Sequence, residues 1–360
     1  MKDSILYLGF VPGENFGWGI CSRYLIRELS KKVRTSLVLN QANQQRYFPS
    51  KLIQSLVNQH LDGLFKARGE ENYGYVFFEN ELTERSIENS KKYDLIIAGS
   101  TWGRDKLKEK GILNSEVLVQ GIDPELFYPI KEEKGGDSFI IFSGGKFEFR
   151  KGQDIILAAL KIIQAKYRDV LLMNAWWNYL PETMATMAGS PYIKYETKGA
   201  GWPEMMNHIY RLNGLDPGRI ITCPVIPHGN LRQLFKQTDI GIFPNRCEGG
   251  TNLALMEYMA CGKPVIAANA TGHKDIVNEN NALLLNNLGD IFLDDEKGRT
   301  VAAWKEPDLE EVVSKIEYAY HNREKIREIG KNGARDLKEY TWEKSADRLL
   351  SLVCENTGKR

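Results

Sequence analysis

Three times in this chain a short apolar run, a glycine turn and a segment of helical spacing follow one another. The first set runs from Ser4 to Leu29, the second from Phe139 to Tyr167 and the third from Asp239 to Ala260. Each apolar run reads as a buried strand. Further runs, Thr35 to Leu39, Tyr75 to Phe78, Asp94 to Ala98, Glu116 to Val119, Val170 to Ala175, Arg219 to Cys223 and Pro264 to Ala268, alternate with helical stretches. That alternation predicts an α/β fold on doubly wound parallel sheets. At 360 residues the chain exceeds a typical single core, so two domains are expected.

After Thr35 to Leu39, helical and polar sequence is expected to about Asn72. Helices are predicted over Glu81 to Lys91, over Trp102 to Lys110 after a Gly99-Ser100-Thr101 cap, and from Thr271 onward. FLDDEKGRT reads as a solvated loop, and helices are expected over Leu309 to His321, Arg323 to Glu339 and Trp342 to Cys354. Lys131 to Asp137 (KEEKGGD) has linker composition and marks the domain boundary.

Bulk properties narrow the function. Net charge is +1 with no basic block, which argues against nucleic acid as the main partner. No apolar run approaches the roughly 20 residues that span a bilayer, and MKDSILYLGF is too short for a signal peptide. The five cysteines are scattered without a CxxC pair, which points to a reducing cytoplasm and away from structural zinc. Asp294-Asp295-Glu296 lacks the setting of a metal-diphosphate site.

Asn245 to Pro264 (NRCEGGTNLALMEYMACGKP) carries the most chemistry. Glu248 stands beside Gly249 and Gly250, and a helical run holding the lone carboxylate Glu257 follows, closed by Gly262 and Pro264. Strand, glycine turn and helix aim backbone N–H groups at whatever lies above the turn, which favours phosphate. Carboxylates cannot serve phosphate but accept hydrogen bonds from hydroxyls. Phosphate beside sugar hydroxyls describes a nucleotide sugar. The alternative is a plain helix entry with Glu248 solvated and Glu257 paired elsewhere.

Other segments point the same way. Ser143 to Gly152 (SGGKFEFRKG) sets Lys146, Arg150 and Lys151 between a strand and a helix, where cations suit a diphosphate. Pro12 to Gly19 (PGENFGWG) is a Rossmann-type loop spaced GxxxGxG, unlike the dinucleotide fingerprint. Glu79-Asn80-Glu81 follows a strand end, where ligands bind in open parallel sheets, or else opens a helix. Trp176, Trp177 and Tyr179 read as a packed domain edge rather than a ligand contact, Cys247 as a small filler, and His273 as a capping or surface residue or else one that reaches a ligand.

Taken together these segments resemble family 4 glycosyltransferases, retaining enzymes with two facing Rossmann-like domains, the GT-B fold. Gln120 to Pro129 (QGIDPELFYP) is similar to the family's N-G-V-D-x-x-x-F-x-P linker. Gly145 to Gly152 is similar to its G-R-L-x-x-x-K-G loop, with Lys146 in the Arg place and Lys151 in the Lys place. Glu248 to Glu257 resembles the paired-glutamate motif and Ala260 to Val265 its A-x-G-x-P-V continuation; here eight residues separate the glutamates, where seven are usual. The family's histidine after an N-domain strand is not evident, since Glu79-Asn80-Glu81 takes that place.

The resemblance implies an N-terminal acceptor-side domain over 1–128, a nucleotide-sugar domain over 129–340, and a helix at about 341–357 returning to the first. It implies a hexosyltransferase acting with retention, with Lys146, Lys151 and Glu248 as catalytic residues. Donor binding would fall to Gly17, Gly19, Gly145, Gly249, Gly250, Thr251, Asn252, Leu253 and Glu257. Glu79 and Asn80 would face the acceptor. The implied donor is a UDP- or GDP-sugar, with no metal and no further cofactor. The acceptor would be a carbohydrate, a lipid-linked group or a small molecule, with at most peripheral membrane contact.

Three other readings share parts of the pattern. A dinucleotide-dependent oxidoreductase should carry GxGxxG and an acid about 20 residues on, and neither loop has it. A GT-B epimerase or phosphorylase would differ in its products. A non-catalytic nucleotide-sugar-binding protein would bind donor without turnover.

Overall fold

The computed structural model describes residues 5–39, 45–131 and 134–355. The first part of the chain forms β1 (Leu6–Gly9), α1 (Gly17–Ser30), β2 (Thr35–Leu37), β3 (Arg46–Leu56), β4 (Ala67–Val76), α2 (Glu84–Ser90), β5 (Leu95–Ala98), α3 (Thr101–Glu109) and β6 (Ser115–Val117). These six strands make one parallel sheet in the order β2-β1-β3-β4-β5-β6. The second sheet is built from β7 (Phe139–Gly145), α4 (Gln153–Lys166), β8 (Val170–Trp176), α5 (Pro181–Met184), α6 (Trp202–Leu212), β9 (Ile220–Thr222), α7 (Leu231–Lys236), β10 (Ile240–Phe243), α8 (Leu253–Ala260), β11 (Val265–Ala268) and β12 (Leu283–Leu285). Its order is β12-β11-β10-β7-β8-β9, again all parallel. An antiparallel hairpin, β13 (Leu288–Asp294) and β14 (Thr300–Pro307), and three helices, α9 (Leu309–His321), α10 (Arg323–Leu337) and α11 (Trp342–Glu355), follow.

Two parallel sheets, each wound with helices, match the expected fold class. Each strand order reverses once, between β1 and β3 in the first sheet and between β7 and β10 in the second. At such switch points the loops diverge and leave a crevice at the strands' C-terminal ends.

The stretch before Asn72 corrects the sequence reading. Its described residues are not helical: β3 and β4 occupy them, paired over most of their length. Their apolar signal is confined to the inner halves, where Leu52, Ile53, Leu56, Tyr73, Tyr75 and Val76 are buried. The outer halves are polar and carry Pro49, beside a register shift between Phe48 and Lys51, as expected where a residue cannot donate to the ladder. The β3–β4 crossover contains no helix, unlike most connections between parallel strands.

Three smaller differences have local causes. α2 starts at Glu84 because Thr83 and Ser86 close a capping box there. Thr271–Asp275 is a single 3-10 turn rather than the start of a helix. FLDDEKGRT is the end of β13 and a tight turn, held by Asp295 accepting from Lys297 N and Arg299 N.

α11 crosses back to the first sheet's helices, with Trp342 stacked on Tyr24 at 5.4 Å and 2°. Its entry is pinned by Ile122 N donating to Tyr340 O (2.9 Å) and Trp342 N to Ile122 O (3.3 Å). Residues 356 and 357 of the helix expected there lie outside the described residues.

Candidate active site between the two sheets

A cleft of about 910 Å³ lies between the domains, lined from both switch points. From the second domain Gly145, Lys146, Lys151 and Glu248 reach it, as do Gly250, Asn252, Leu253 and Glu257 further along. Gly17, Glu79 and Asn80 line it from the first domain. Three expected residues do not. Gly19 is buried in α1, where Gly13 N donates to its carbonyl (3.0 Å). Thr251 is buried, with its hydroxyl turned onto Met256 Sδ (3.0 Å). Gly249 lies in the seam between the domains, where a Cβ would meet the Phe78 backbone, 2.7 Å from its nitrogen.

Glu248 is the electrostatic centre. Lys151 Nζ lies 2.5 Å from Oε1 and Arg150 Nη1 3.1 Å from Oε2, while Asn245 Nδ2 also donates to Oε1. Burial would raise this carboxyl's pKa, but the Lys151 and Arg150 charges outweigh it and hold it down at about 2. Glu248 N donates to Thr271 Oγ1 (2.9 Å), a contact that keeps Thr271 at φ 48. Asn252, at φ 65, caps α8 with Oδ1 accepting from Leu255 N (3.4 Å). Two non-glycine residues in the left-handed region, Asn252 in the turn before α8 and Thr271 in the loop after β11, mark a backbone shaped by its surroundings.

His273 is neither exposed nor a plain cap. Its Nδ1–H donates to Ala268 O (3.2 Å), which leaves Nε2 to accept from Asn252 Nδ2 (3.4 Å). Burial is the main cause that lowers its pKa, to about 4, against the pull of Glu248. It therefore stands neutral behind the charged cluster. Burial likewise pushes the Cys247 thiol far up, which suits filler rather than nucleophile.

Arg150, read from the sequence as one of the loop's cations but given no role by the resemblance, is central to the cluster. Nη2 bonds Glu148 Oε1 (2.5 Å), and Nη1 bonds Cys247 O (2.9 Å) and lies 3.3 Å from Glu79 Oε1. It thus joins the basic loop, the paired-glutamate turn and the first domain. Among the described cleft residues, Lys146 is the cation whose ammonium makes no ion pair. Beneath lies Arg246, fully buried, gripping Asp154 with both terminal nitrogens (2.8 and 2.8 Å) and Glu306 Oε1 (3.0 Å). It ties α4, the turn before α8 and β14 together. Nothing in the linear sequence pairs residues this far apart.

Deeper along α8, Glu257 Oε1 accepts from His228 Nε2 (2.6 Å), whose Nδ1 faces Arg23 Nη2 of the first domain (3.4 Å). Burial lowers the His228 pKa, but the Glu257 carboxylate overrides this and raises it.

The domain seam is made largely by backbone. Ser100 Oγ donates to Gly249 O (2.8 Å), Thr101 N to Asp275 Oδ2 (2.7 Å) and Glu81 N to Val301 O (2.8 Å). Trp304 Nε1 donates to Glu79 O (2.7 Å), so the β13–β14 hairpin clasps the strand end that carries Glu79. Trp176 is core, with Nε1 donating to Ser143 Oγ (3.0 Å), whereas Trp177 and Tyr179 are partly exposed along the cleft.

Residues 126–336, more than half of the chain, match the sequence family Glycosyl transferases group 1. A phosphatidyl-myo-inositol mannosyltransferase of Propionibacterium freudenreichii is 25% identical over 58% of this chain and 46% of its own. The curated relatives found are matched over 20% to 56% of their lengths, mostly about half. Sucrose-phosphate synthase from Thermosynechococcus elongatus superposes with a TM-score of 0.69 at 16% identity, over 99% of this chain and 100% of that one. Anabaena Alr3699/HepE, solved in complex with UDP-glucose, gives 0.64 at 14% identity over 98% and 99%. At such low identities these superpositions establish a shared fold alone. Among the described residues no helix is long and apolar enough to cross a membrane.

Proposed function

The chain belongs to the group 1 glycosyl transferases, and on that footing we propose that it moves a hexose, with retention, from a nucleotide-diphosphate sugar to an acceptor hydroxyl. The observation that carries this reading is Glu248 held between Lys151 and Arg150 at the turn before α8, with Lys146 beside it in the cleft. A carboxylate so placed can bond a sugar hydroxyl while the cations beside it meet a diphosphate.

Breaking the bond between sugar and phosphate builds negative charge on the departing diphosphate. Lys146, Lys151 and the N–H groups of Gly250 to Leu253 stabilise it in this proposal, where cations and a helix N-terminus act in a water-poor site. Glu248 positions the hexose and Glu257, steadied by His228, the ribose. The leaving phosphate accepts the acceptor's proton, so no acid–base pair of carboxylates is required. Glu79 and Asn80 lie on the acceptor side. The seam through Gly249 and Trp304 closes the domains and limits hydrolysis. We take the boundary between domains at 128/129 and, from the free thiols of Cys21, Cys223, Cys247 and Cys261, place the reaction in the cytoplasm.

Calorimetric titration with UDP, GDP, ADP and CMP tests the donor site. UDP comes first because a fold neighbour was solved with UDP-glucose. Micromolar binding of one nucleotide, lost in Lys151→Ala, supports the proposal; no binding by folded protein refutes it. The anomeric configuration of product, read by NMR, tests retention.

A further inference from the structure

Among the described residues, three carboxylates meet the Arg150 guanidinium, and one of them comes from the other domain. Nη2 bonds Glu148 Oε1 (2.5 Å), and Nη1 donates to Cys247 O (2.9 Å) and Glu248 Oε2 (3.1 Å). Glu79 Oε1 stands 3.3 Å from that same Nη1. Among the described residues this is the single ion pair between residues 1–128 and residues 129–340.

Glu79 follows β4 on the first domain's side of the cleft, but its bonds run across the seam. Oε1 also accepts from Gly249 N (3.3 Å), and the carbonyl accepts from Trp304 Nε1 (2.7 Å). Glu248 is held on both oxygens. Lys151, Asn245 and Asn252 donate to Oε1, so Oε2, which among the described residues bonds Arg150 alone, is the oxygen left for a substrate hydroxyl. Nη1 has two protons, and Cys247 O and Glu248 Oε2 take both. Glu79 draws on the same nitrogen, which divides the hold of Arg150 on Oε2 while the domains are together. Burial would lower the Arg150 pKa; Glu79 leads the three carboxylates that outweigh it and raise it. With the first domain withdrawn, Arg150 would fall back on Glu148 and Glu248, both buried, and Oε2 would be held more firmly.

We infer that Glu79 is a positioning residue for the sugar of the donor: across the seam it shares Arg150 with Glu248, and so leaves Glu248 Oε2 free to accept a hexose hydroxyl only while the domains are closed. The inference rests on the donor reading of Glu248. It assigns Glu79 to the donor half of the reaction although the residue stands on the acceptor side of the cleft.

The test is calorimetric titration of the full chain with UDP, GDP and ADP, each against its glucose and mannose esters. Glu79→Gln removes the charge but keeps an oxygen for Gly249 N, at a side chain 26% exposed. It should leave nucleotide affinity within about threefold, while the ratio of nucleotide-sugar to nucleotide dissociation constants rises about tenfold, the scale of one lost hydrogen bond. In Arg150→Met that ratio should no longer respond to Glu79→Gln, because a residue acting through Arg150 has nothing left to act on. A side chain that only braced the seam would change the ratio in both backgrounds. An unchanged ratio in Glu79→Gln, or a rise that persists in Arg150→Met, overturns the inference while nucleotide binding stands. Failure of the unaltered protein to bind any of the three nucleotides overturns the donor reading, and this inference with it. Should Arg150→Met not fold, the comparison of Glu79→Gln with the unaltered protein decides alone.

Discussion

Arg246 and Asp154 meet in a two-pronged ion pair that water does not reach, with Nη1–Oδ1 and Nη2–Oδ2 both at 2.8 Å and both side chains at 0% exposure. Two solvated charges are costly to bury; removing Arg246 strands Asp154, whereas removing Asp154 leaves Arg246 paired with Glu306. Arg246→Met is expected to cost about 3–5 kcal/mol of stability. The double change Asp154→Leu with Arg246→Met should cost less than Arg246→Met alone. Urea unfolding of the three variants reads this directly, and additive losses would refute it.

Lys151 and Lys146 differ in what they do before donor arrives. Lys151 is already paired with Glu248, whereas the Lys146 ammonium has no ion-pair partner among the described residues. Replacing either by Ala is expected to slow transfer by about a hundred- to a thousandfold. Only Lys151→Ala should also raise the Glu248 pKa, because the Lys151 charge is the largest influence opposing its burial. Rates with saturating donor, together with carboxyl titration by infrared difference, separate the two.

Acidification acts on the site through His273. Its folded pKa of about 4 lies below the 6.5 of an ordinary imidazole, so the unfolded chain binds the extra proton. The stability it contributes is present above pH 6.5 and is lost as pH falls toward 4. Glu248 adds a second loss between 4.5 and about 2. In His273→Asn the fall in stability between pH 6.5 and 4 should be shallower by one proton's worth of slope. Denaturant midpoints across that window check it; an unchanged slope contradicts the neutral histidine.

His228 has the opposite sign. Its pKa is raised, so the pair with Glu257 stabilises fully below pH 6.5, and that contribution disappears as pH climbs through the folded value. The difference in melting temperature between the unaltered protein and His228→Gln should therefore shrink from pH 6 to pH 9. A constant difference would mean the imidazole contributes only packing against Phe127 (5.2 Å between centroids) and Tyr24.

Gly249 holds the seam because a side chain there would strike the backbone of Phe78. Gly249→Ala should leave the chain folded but the domains parted, with a larger radius of gyration in X-ray scattering and more donor hydrolysis per transfer. Scattering identical to the unaltered protein would show that the seam tolerates a methyl group.

The parallel sheets were legible because buried strands such as Leu95–Ala98 and Val265–Ala268 are apolar at every position, a local signal. Lys146, Lys151, Glu248 and Glu257, which line the cleft, could be picked out as candidates because their spacing within a loop or a helix survives in the linear order. β3 and β4 were not, since their polar outer halves hide the period of the inner halves. Nor were the Arg246–Asp154–Glu306 network and the His228–Glu257 pair, whose members are brought together only by the fold.

α11 gives the chain an order of assembly. During synthesis the first sheet emerges early, but Tyr24 has no Trp342 to stack on until nearly the last described residue has been made. Domains usually fold as units in the order they leave the ribosome. Here the second domain, complete by α10, can finish first, while the one begun earliest waits with part of its apolar flank bare. A nascent chain stalled before residue 342 would thus carry a finished second sheet and an unfinished first one, and that interval is when a chaperone would find the most to hold.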